Sequence, residues 1–207
     1  MVTINKNMWE ESNYIYHGNI PITNTLINLV TNHNWDKDHL RHLKDINFRG
    51  THTIYYNFSN VPDLYNRNYD NSDLNLRDAT QYILDYILTL WPNHRYIKGE
   101  ISHCPPGDKQ GYHIDHRIFH RFSHRVHIPI TTNMLCSLKV ETEYRHLAQG
   151  EIWTFNNIKL HASENLGTTS RVHIVVDIMD QEIFNQIVLK YSEFYLYERT
   201  NLKVITI

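Results

Sequence analysis

His113, Asp115, His161 and Arg171 are the residues through which this chain could carry out redox chemistry on a metal. His113-Ile114-Asp115 sets an imidazole and a carboxylate two residues apart. In an extended strand, residues i and i+2 project from the same face, so both side chains can reach one ion. His161 supplies a second imidazole later in the chain. Two histidines and one carboxylate on one side of a metal are the facial donor set that holds Fe(II) and leaves positions open for reactants. Arg171, ten residues past His161, is placed to hold the far carboxylate of a 2-oxo acid bound to that metal.

Fifteen histidines make chance pairings easy, and His-x-Asp alone says little. His161 and Arg171 at constrained places sharpen the pattern; the competing reading is a surface His–Asp pair beside a core histidine. His116, His120 and His124 stand four apart and would share a helix face, imitating a zinc site. Arg117, Arg121 and Arg125 make that stretch electrostatically poor for a cation, so it reads either as an anion-binding loop or as a solvated one. Zinc hydrolysis at the main triad is the rival metal chemistry. It would need a nearby catalytic carboxylate and would leave Arg171 without a task.

These side chains need strands to hold them, and the sequence offers strands from Arg95 onward. Period-two patterning predicts them at 96–103, 111–116, 124–131, 135–141, 151–155, 158–163 and 170–179. Upstream, 14–20 reads as a short strand stopped by Pro21, and Thr23 or Asn24 caps a helix carrying Leu26, Ile27, Leu29 and Val30. The spacing of Leu40, Leu43 and Ile46 predicts a helix over 36–46, and 51–58 is a β-branched and aromatic strand. A helix over 76–91 is closed by Pro92. Residues 59–73 form a polar, turn-rich loop: either a substrate lid bearing Tyr65, Arg67 and Tyr69, or a solvated connection. A helix over 180–196 and a strand over 204–207 end the chain. Many short strands following helices predict a mainly β fold with flanking helices, closed as a barrel or sandwich.

At 207 residues, with 41% hydrophobic and 20% charged residues, the chain suits one domain with one substantial core. Within it, 1–95 is a helical and strand buttress, 96–179 the β core with the metal site, and 180–207 a C-terminal helix and tail. A net charge of −2 gives no bulk field for nucleic acid or an anionic membrane. No run is long enough to span a bilayer, and residues 1–13 lack an apolar leader, so the expected compartment is the cytoplasm. Cys104 and Cys136 make no disulfide framework and read as buried small hydrophobes.

The stretch from Ser102 to Asp177 resembles the Fe(II)- and 2-oxoglutarate-dependent oxygenases of the aspartyl/asparaginyl β-hydroxylase family, which includes free-proline hydroxylases. The residues that carry the resemblance are Ser102, His113, Arg125-x-His127, Gly150-Glu151, His161 with Asn165, and Arg171-Val172-His173-Ile174-Val175-Val176-Asp177. It implies a double-stranded β-helix, a jelly-roll or cupin-like barrel with iron at its mouth. It also implies Fe(II), 2-oxoglutarate and O₂ as cofactor and co-substrates. His113, Asp115 and His161 would be the metal ligands, and Arg171 and Ser102 would hold the C5 carboxylate. His127 would lie near the C1 end, and His173 would support Arg171 from the same strand face. The family's peptide aspartyl hydroxylases carry glycine at the position of Asp115. The carboxylate here favours three-ligand iron over a halogenase and weakens any transfer of substrate from the peptide enzymes.

The implied substrate is an amino acid: free, as in the proline hydroxylases, or a residue of a peptide or protein. A non-catalytic metal-binding β-barrel is the reading from another class, and Arg171 argues against it. A substrate carboxylate needs a cation once it leaves water. Arg125 or Arg117 is expected to clamp it, with Tyr65 or Tyr69 closing over it, unless these arginines only stabilise their loop. No nucleic-acid or membrane partner is expected, and oligomeric state stays open.

Overall fold

The computed structural model describes residues 12–37, 39–40, 52–55, 74–115 and 118–187. The N-terminal part holds β1 (Tyr14–Asn19), α1 (Asn24–Asn32), a 3₁₀ turn (Trp35–Lys37), β2 (His39–Leu40), β3 (His52–Tyr55) and α2 (Leu74–Leu90). Then come β4 (His94–Cys104), β5 (Lys109–His113), a second 3₁₀ turn (Ile118–Arg121), β6 (His124–Thr131), β7 (Cys136–Val140) and β8 (Glu143–Arg145). β9 (Glu151–Phe155), β10 (His161–Asn165) and β11 (Arg171–Asp180) complete the sheets. Helical turns follow over 181–187. No helix among the described residues is long and apolar enough to cross a membrane.

The strands form a seven-stranded sheet, ordered β1-β9-β6-β11-β4-β3-β2, and a four-stranded sheet, ordered β5-β10-β7-β8. The recorded pairings are antiparallel, and the two sheets enclose one cavity lined from both sides. This is a double-stranded β-helix buttressed by helices, mainly β as the pattern predicts.

β11 shows how the sequence divides the fold. Val172, Ile174, Val176 and Ile178 point to one face, where they join Val126 and Ile128 beneath Leu26 and Val30 of α1 and Ile83, Leu84 and Ile87 of α2. Burying each such side chain stabilises the fold by roughly 1.5–3 kcal/mol. Alternate residues Arg171, His173 and Val175 line the cavity on the other face. Neighbouring strands keep the same parity, because His173 lies opposite Ser102 of β4, and Val175 lies opposite both Glu100 of β4 and His127 of β6. A register shift beside Asp177 leaves Ile97 as an extra residue on β4. Tyr96 therefore faces the helices, its hydroxyl donating to the Leu84 carbonyl at 2.5 Å, while Lys98 turns to the cavity side, where it ion-pairs with Glu100.

Most expected elements fall where periodicity places them, including 124–131 and 151–155 to the residue. Thr23 is the N-cap of α1, its hydroxyl accepting from the Leu26 amide at 3.2 Å. The helix expected over 36–46 does not begin where placed: Trp35–Lys37 is a 3₁₀ turn and His39–Leu40 pairs with β3, while 41–46 lie outside the described residues. The strand expected at 158–163 begins at His161, because Lys159 donates to the Asn156 carbonyl in a turn. β8 has no counterpart among the expected strands. The loop over 59–73, most of the C-terminal helix and the strand over 204–207 lie outside the described residues, as do Tyr65, Tyr69 and Arg117.

Gly150 shows why one glycine is required. Its φ is +77°, and a Cβ there would sit 2.3 Å from the Ile20 carbonyl oxygen, which belongs to the residue whose amide donates to Gly150 O. Gly150→Ala is expected to destabilise the fold by about 2–3 kcal/mol, the cost of a strained backbone with no room to relax. Urea denaturation of the two proteins measures it.

Candidate active site

β5 and β10 bring the two imidazoles together. His161 lies directly opposite His113 in the pairing, and their rings are 4.1 Å apart between centroids. Each Nδ1 faces a backbone carbonyl two residues earlier, Gly111 O at 2.8 Å for His113 and Lys159 O at 2.9 Å for His161. A carbonyl only accepts, so each Nδ1 carries the proton and each Nε2 is the nitrogen with the lone pair. Burial, with His113 beside it, pushes His161 down to about 4, so it is neutral at neutral pH, as a metal ligand must be.

Asp115 lies two residues past the end of β5, not within it as the strand pattern predicts. Asn157 fixes it twice: the Asp115 amide donates to Asn157 O at 3.0 Å, and Asn157 Nδ2 donates to Asp115 Oδ2 at 3.1 Å. Burial alone would raise this carboxyl; Arg125, together with His120, His161 and the Asn157 hydrogen bond, outweighs it and holds Asp115 below the usual carboxylate range. Donor atoms of His113, Asp115 and His161 all lie within 4.8 Å of one another. Two neutral nitrogens and an ionised oxygen in that space fit one divalent iron.

Arg125 corrects an expectation. Its Nε and Nη2 donate to the two oxygens of Asp177, each at 2.8 Å, and its Nη1 donates to Asp115. Nη2 also lies 3.1 Å from His120 Nε2. A guanidinium engaged at every nitrogen has no fork left for a substrate carboxylate, so Arg125 is not the substrate clamp. It does share the cavity face with His127, as the strand parity requires.

The far part of the cavity is different. Arg171 is buried, at 7% exposure, and lines the cavity; its Nε has no hydrogen-bond partner among the described residues, and no carboxylate there pairs with it. A buried guanidinium without an anion is costly unless a ligand supplies one. Ser102 lines the same wall. His127 Nδ1 and His173 Nδ1 are 3.5 Å apart, and Nε2 of each lacks a partner among the described residues. Burial, with Arg125 and Arg171 nearby, pushes His127 down to about 3 and His173 well below its ordinary value. Phe155 stands between the regions, edge-on to both His127 and His161 at 5.0 Å. The cavity spans about 620 Å³ of non-atom space, its open mouth included. Orphaned donors at its far end fit an acidic co-substrate such as 2-oxoglutarate.

Asn165 supports Arg171 from below. Its Nδ2 donates to the carbonyls of Cys104, Pro105 and Thr169, and its Oδ1 accepts from Asn133 and the Gly167 amide. It thus ties the start of β11 to the end of β4 and the turn after β6. His116 lies outside the described residues, His120 meets Arg125, and His124 packs on Trp91 and His94, so the four-residue spacing gathers no site. Both cysteines are free and buried, as expected. The sequence reading does not single out Asn157 or Phe155, and it names His120 and Asp177 without pairing either with Arg125; the signal for Asp177 is its place in the period-two row of Arg171, His173 and Val175.

A family model described as aspartyl/asparaginyl beta-hydroxylase matches residues 65–181, more than half of the chain. Among solved structures, a Pseudomonas putida prolyl-4-hydroxylase is similar at a TM-score of 0.55 and 9% identity, over 83% of this chain and 94% of that one. A viral collagen prolyl hydroxylase from Paramecium bursaria Chlorella virus 1 is similar at a TM-score of 0.50 and 9% identity, over 83% of this chain and 98% of that one. The non-heme monooxygenase ThoJ, as a nickel complex, matches at 19% identity and a TM-score of 0.38; 47% of this chain spans about half, 49%, of that protein.

Buried neutral histidines give the site region a pH signature. His103 and His124 are pushed to about 4 and His127 to about 3, chiefly by burial, against 6.5 in the unfolded chain. Below about 6.5 the unfolded chain takes up protons that the fold refuses, so this stability is complete above 6.5 and is lost as pH falls toward 4. Thermal denaturation of the metal-free protein is expected to show Tm falling between pH 7 and pH 5. A flat profile would mean that these rings are protonated in place.

Proposed function

The chain belongs to the aspartyl/asparaginyl β-hydroxylase family, and on that premise we propose that it hydroxylates a C–H bond of an amino acid. It is an iron(II)- and 2-oxoglutarate-dependent dioxygenase. A free amino acid such as proline is the favoured substrate, and the observation that carries the reading is one cavity lined by His113 and His161 of the donor triad and by Arg171, which no carboxylate pairs among the described residues.

His113, Asp115 and His161 hold the iron, each imidazole through Nε2, since Nδ1 of each ring meets a backbone carbonyl. Arg171 takes the distal carboxylate of 2-oxoglutarate, assisted by the Ser102 hydroxyl. His127 and His173 lie along the same wall as neutral groups, His127 toward the C1 end and His173 supporting Arg171. When bound, iron and 2-oxoglutarate supply the oxidation: one O₂, the 2-oxo acid and the substrate C–H become succinate, carbon dioxide and the alcohol. The protein orients these groups and, through Phe155 and the apolar lining, keeps water from them.

A residue within a peptide is the second reading, favoured by one observation. Ile114, Ile158 and Leu160 flank Asp115, Asn157 and His161 in the chain and are 40%, 39% and 46% exposed, an apolar rim on which a peptide could rest. With Arg125 committed, Arg117 and the lid tyrosines Tyr65 and Tyr69 are the proposed substrate contacts that stand.

Succinate release by the iron-loaded protein, measured against a panel of free amino acids and peptides, tests both readings. His161→Ala is expected to abolish it while leaving the far-ultraviolet circular dichroism unchanged; retained turnover would remove the triad from the chemistry. Arg171→Lys keeps the charge and loses the planar fork, so the KM for 2-oxoglutarate should rise about tenfold or more. An unchanged KM would show that another group holds the carboxylate.

A further inference from the structure

We propose that Asp177 and Arg125 are positioning residues for the metal ligand Asp115, forming a buried clamp that fixes which carboxylate oxygen and how much charge face the iron. The proposal rests on His113, Asp115 and His161 being the metal ligands.

The geometry is that of a relay. Asp177 lies opposite Arg125 in the β11–β6 pairing, and its two oxygens accept both parallel donors of the guanidinium at 2.8 Å. That fork sets the guanidinium plane and aims the remaining nitrogen, Nη1, at Asp115. Asn157 Nδ2 reaches the same oxygen, Oδ2, at 3.1 Å. Oδ2 is also the oxygen 3.9 Å from His161 Nε2, while Oδ1 lies 4.0 Å from His120 Nδ1, so the two donors hold Oδ2 toward the other ligands.

Charge gives Asp177 a second task. Arg125 alone would neutralise Asp115 and compete with a cation for it. Asp177, 2% exposed at its side chain, returns the cluster to one net negative charge, so Arg125 orients the ligand without cancelling it. Lys98, opposite Asp177 on β4, is itself paired with Glu100 at 2.9 Å and leaves that balance in place.

The test is Mn(II) affinity of the metal-free protein by calorimetry, with the manganese resonance spectrum as a second readout. Asp177→Asn should weaken Mn(II) binding by about 10–100-fold. Arg125→Gln/Asp177→Asn removes the competing cation together with its counter-charge, so it should bind more tightly than Asp177→Asn and less tightly than wild type. That order supports the clamp. Asp177→Asn at wild-type affinity, or the double variant at or above it, overturns the clamp. If Asp177→Asn shows no cooperative melt, the comparison of wild type with the double variant decides. A wild-type protein that binds no Mn(II), or a His161→Ala protein that binds it as well as wild type, would instead defeat the ligand assignment.

Discussion

A guanidinium taken out of water must be surrounded by acceptors, and Arg125 meets that demand with Asp177 on one side and Asp115 on the other. Much of the site's arrangement depends on this one requirement. It joins β6 to β11 through side chains as well as backbone and carries a link from the centre of the larger sheet to a loop residue beyond the smaller one. Breaking either pair would leave a charge stranded in the interior, at a cost of about 3–5 kcal/mol. The same contact thus serves stability and places a proposed iron ligand.

The cavity has two regions of opposite character. The Arg125 guanidinium itself has a protein partner at each nitrogen. Around Arg171, His127 and His173, nitrogens within the protein have no protein partner among the described residues. Folding pays for such vacancies, so they belong to the binding of something else. The vacant donors are clustered at one end, which gives a dicarboxylic co-substrate a direction as well as a place.

How much was legible depended on whether a feature is local. The β11 row was, because hydrophobic and polar residues alternate from Arg171 to Asp177, broken only by Val175, with Ile and Val facing the helices. His113 and His161 were legible as a pair because strands present their ends predictably. The partner of Arg125 was not, since only the β6–β11 register brings Asp177 to it. The helix expected over 36–46 rested on three apolar residues, and at Leu40, the one of them described, sheet pairing prevails. β8 was invisible because all three of its residues are exposed, leaving no apolar side to alternate with. Asn157 and Asn165 act through main-chain contacts that composition cannot foretell.

β11 is hydrogen-bonded along both edges, to β4 and to β6, and carries Arg171 at its start and Asp177 six residues later. It is therefore a ruler. At about 3.3 Å per residue, the backbone interval between Arg171 and Asp177 is about 20 Å. Inserting or deleting one residue would alter the interval by about 3.3 Å and turn the remaining row to the helix face. The spacing of the two charged residues along the cavity wall is then a property of the sheet, and side chains around them can change without losing the measure.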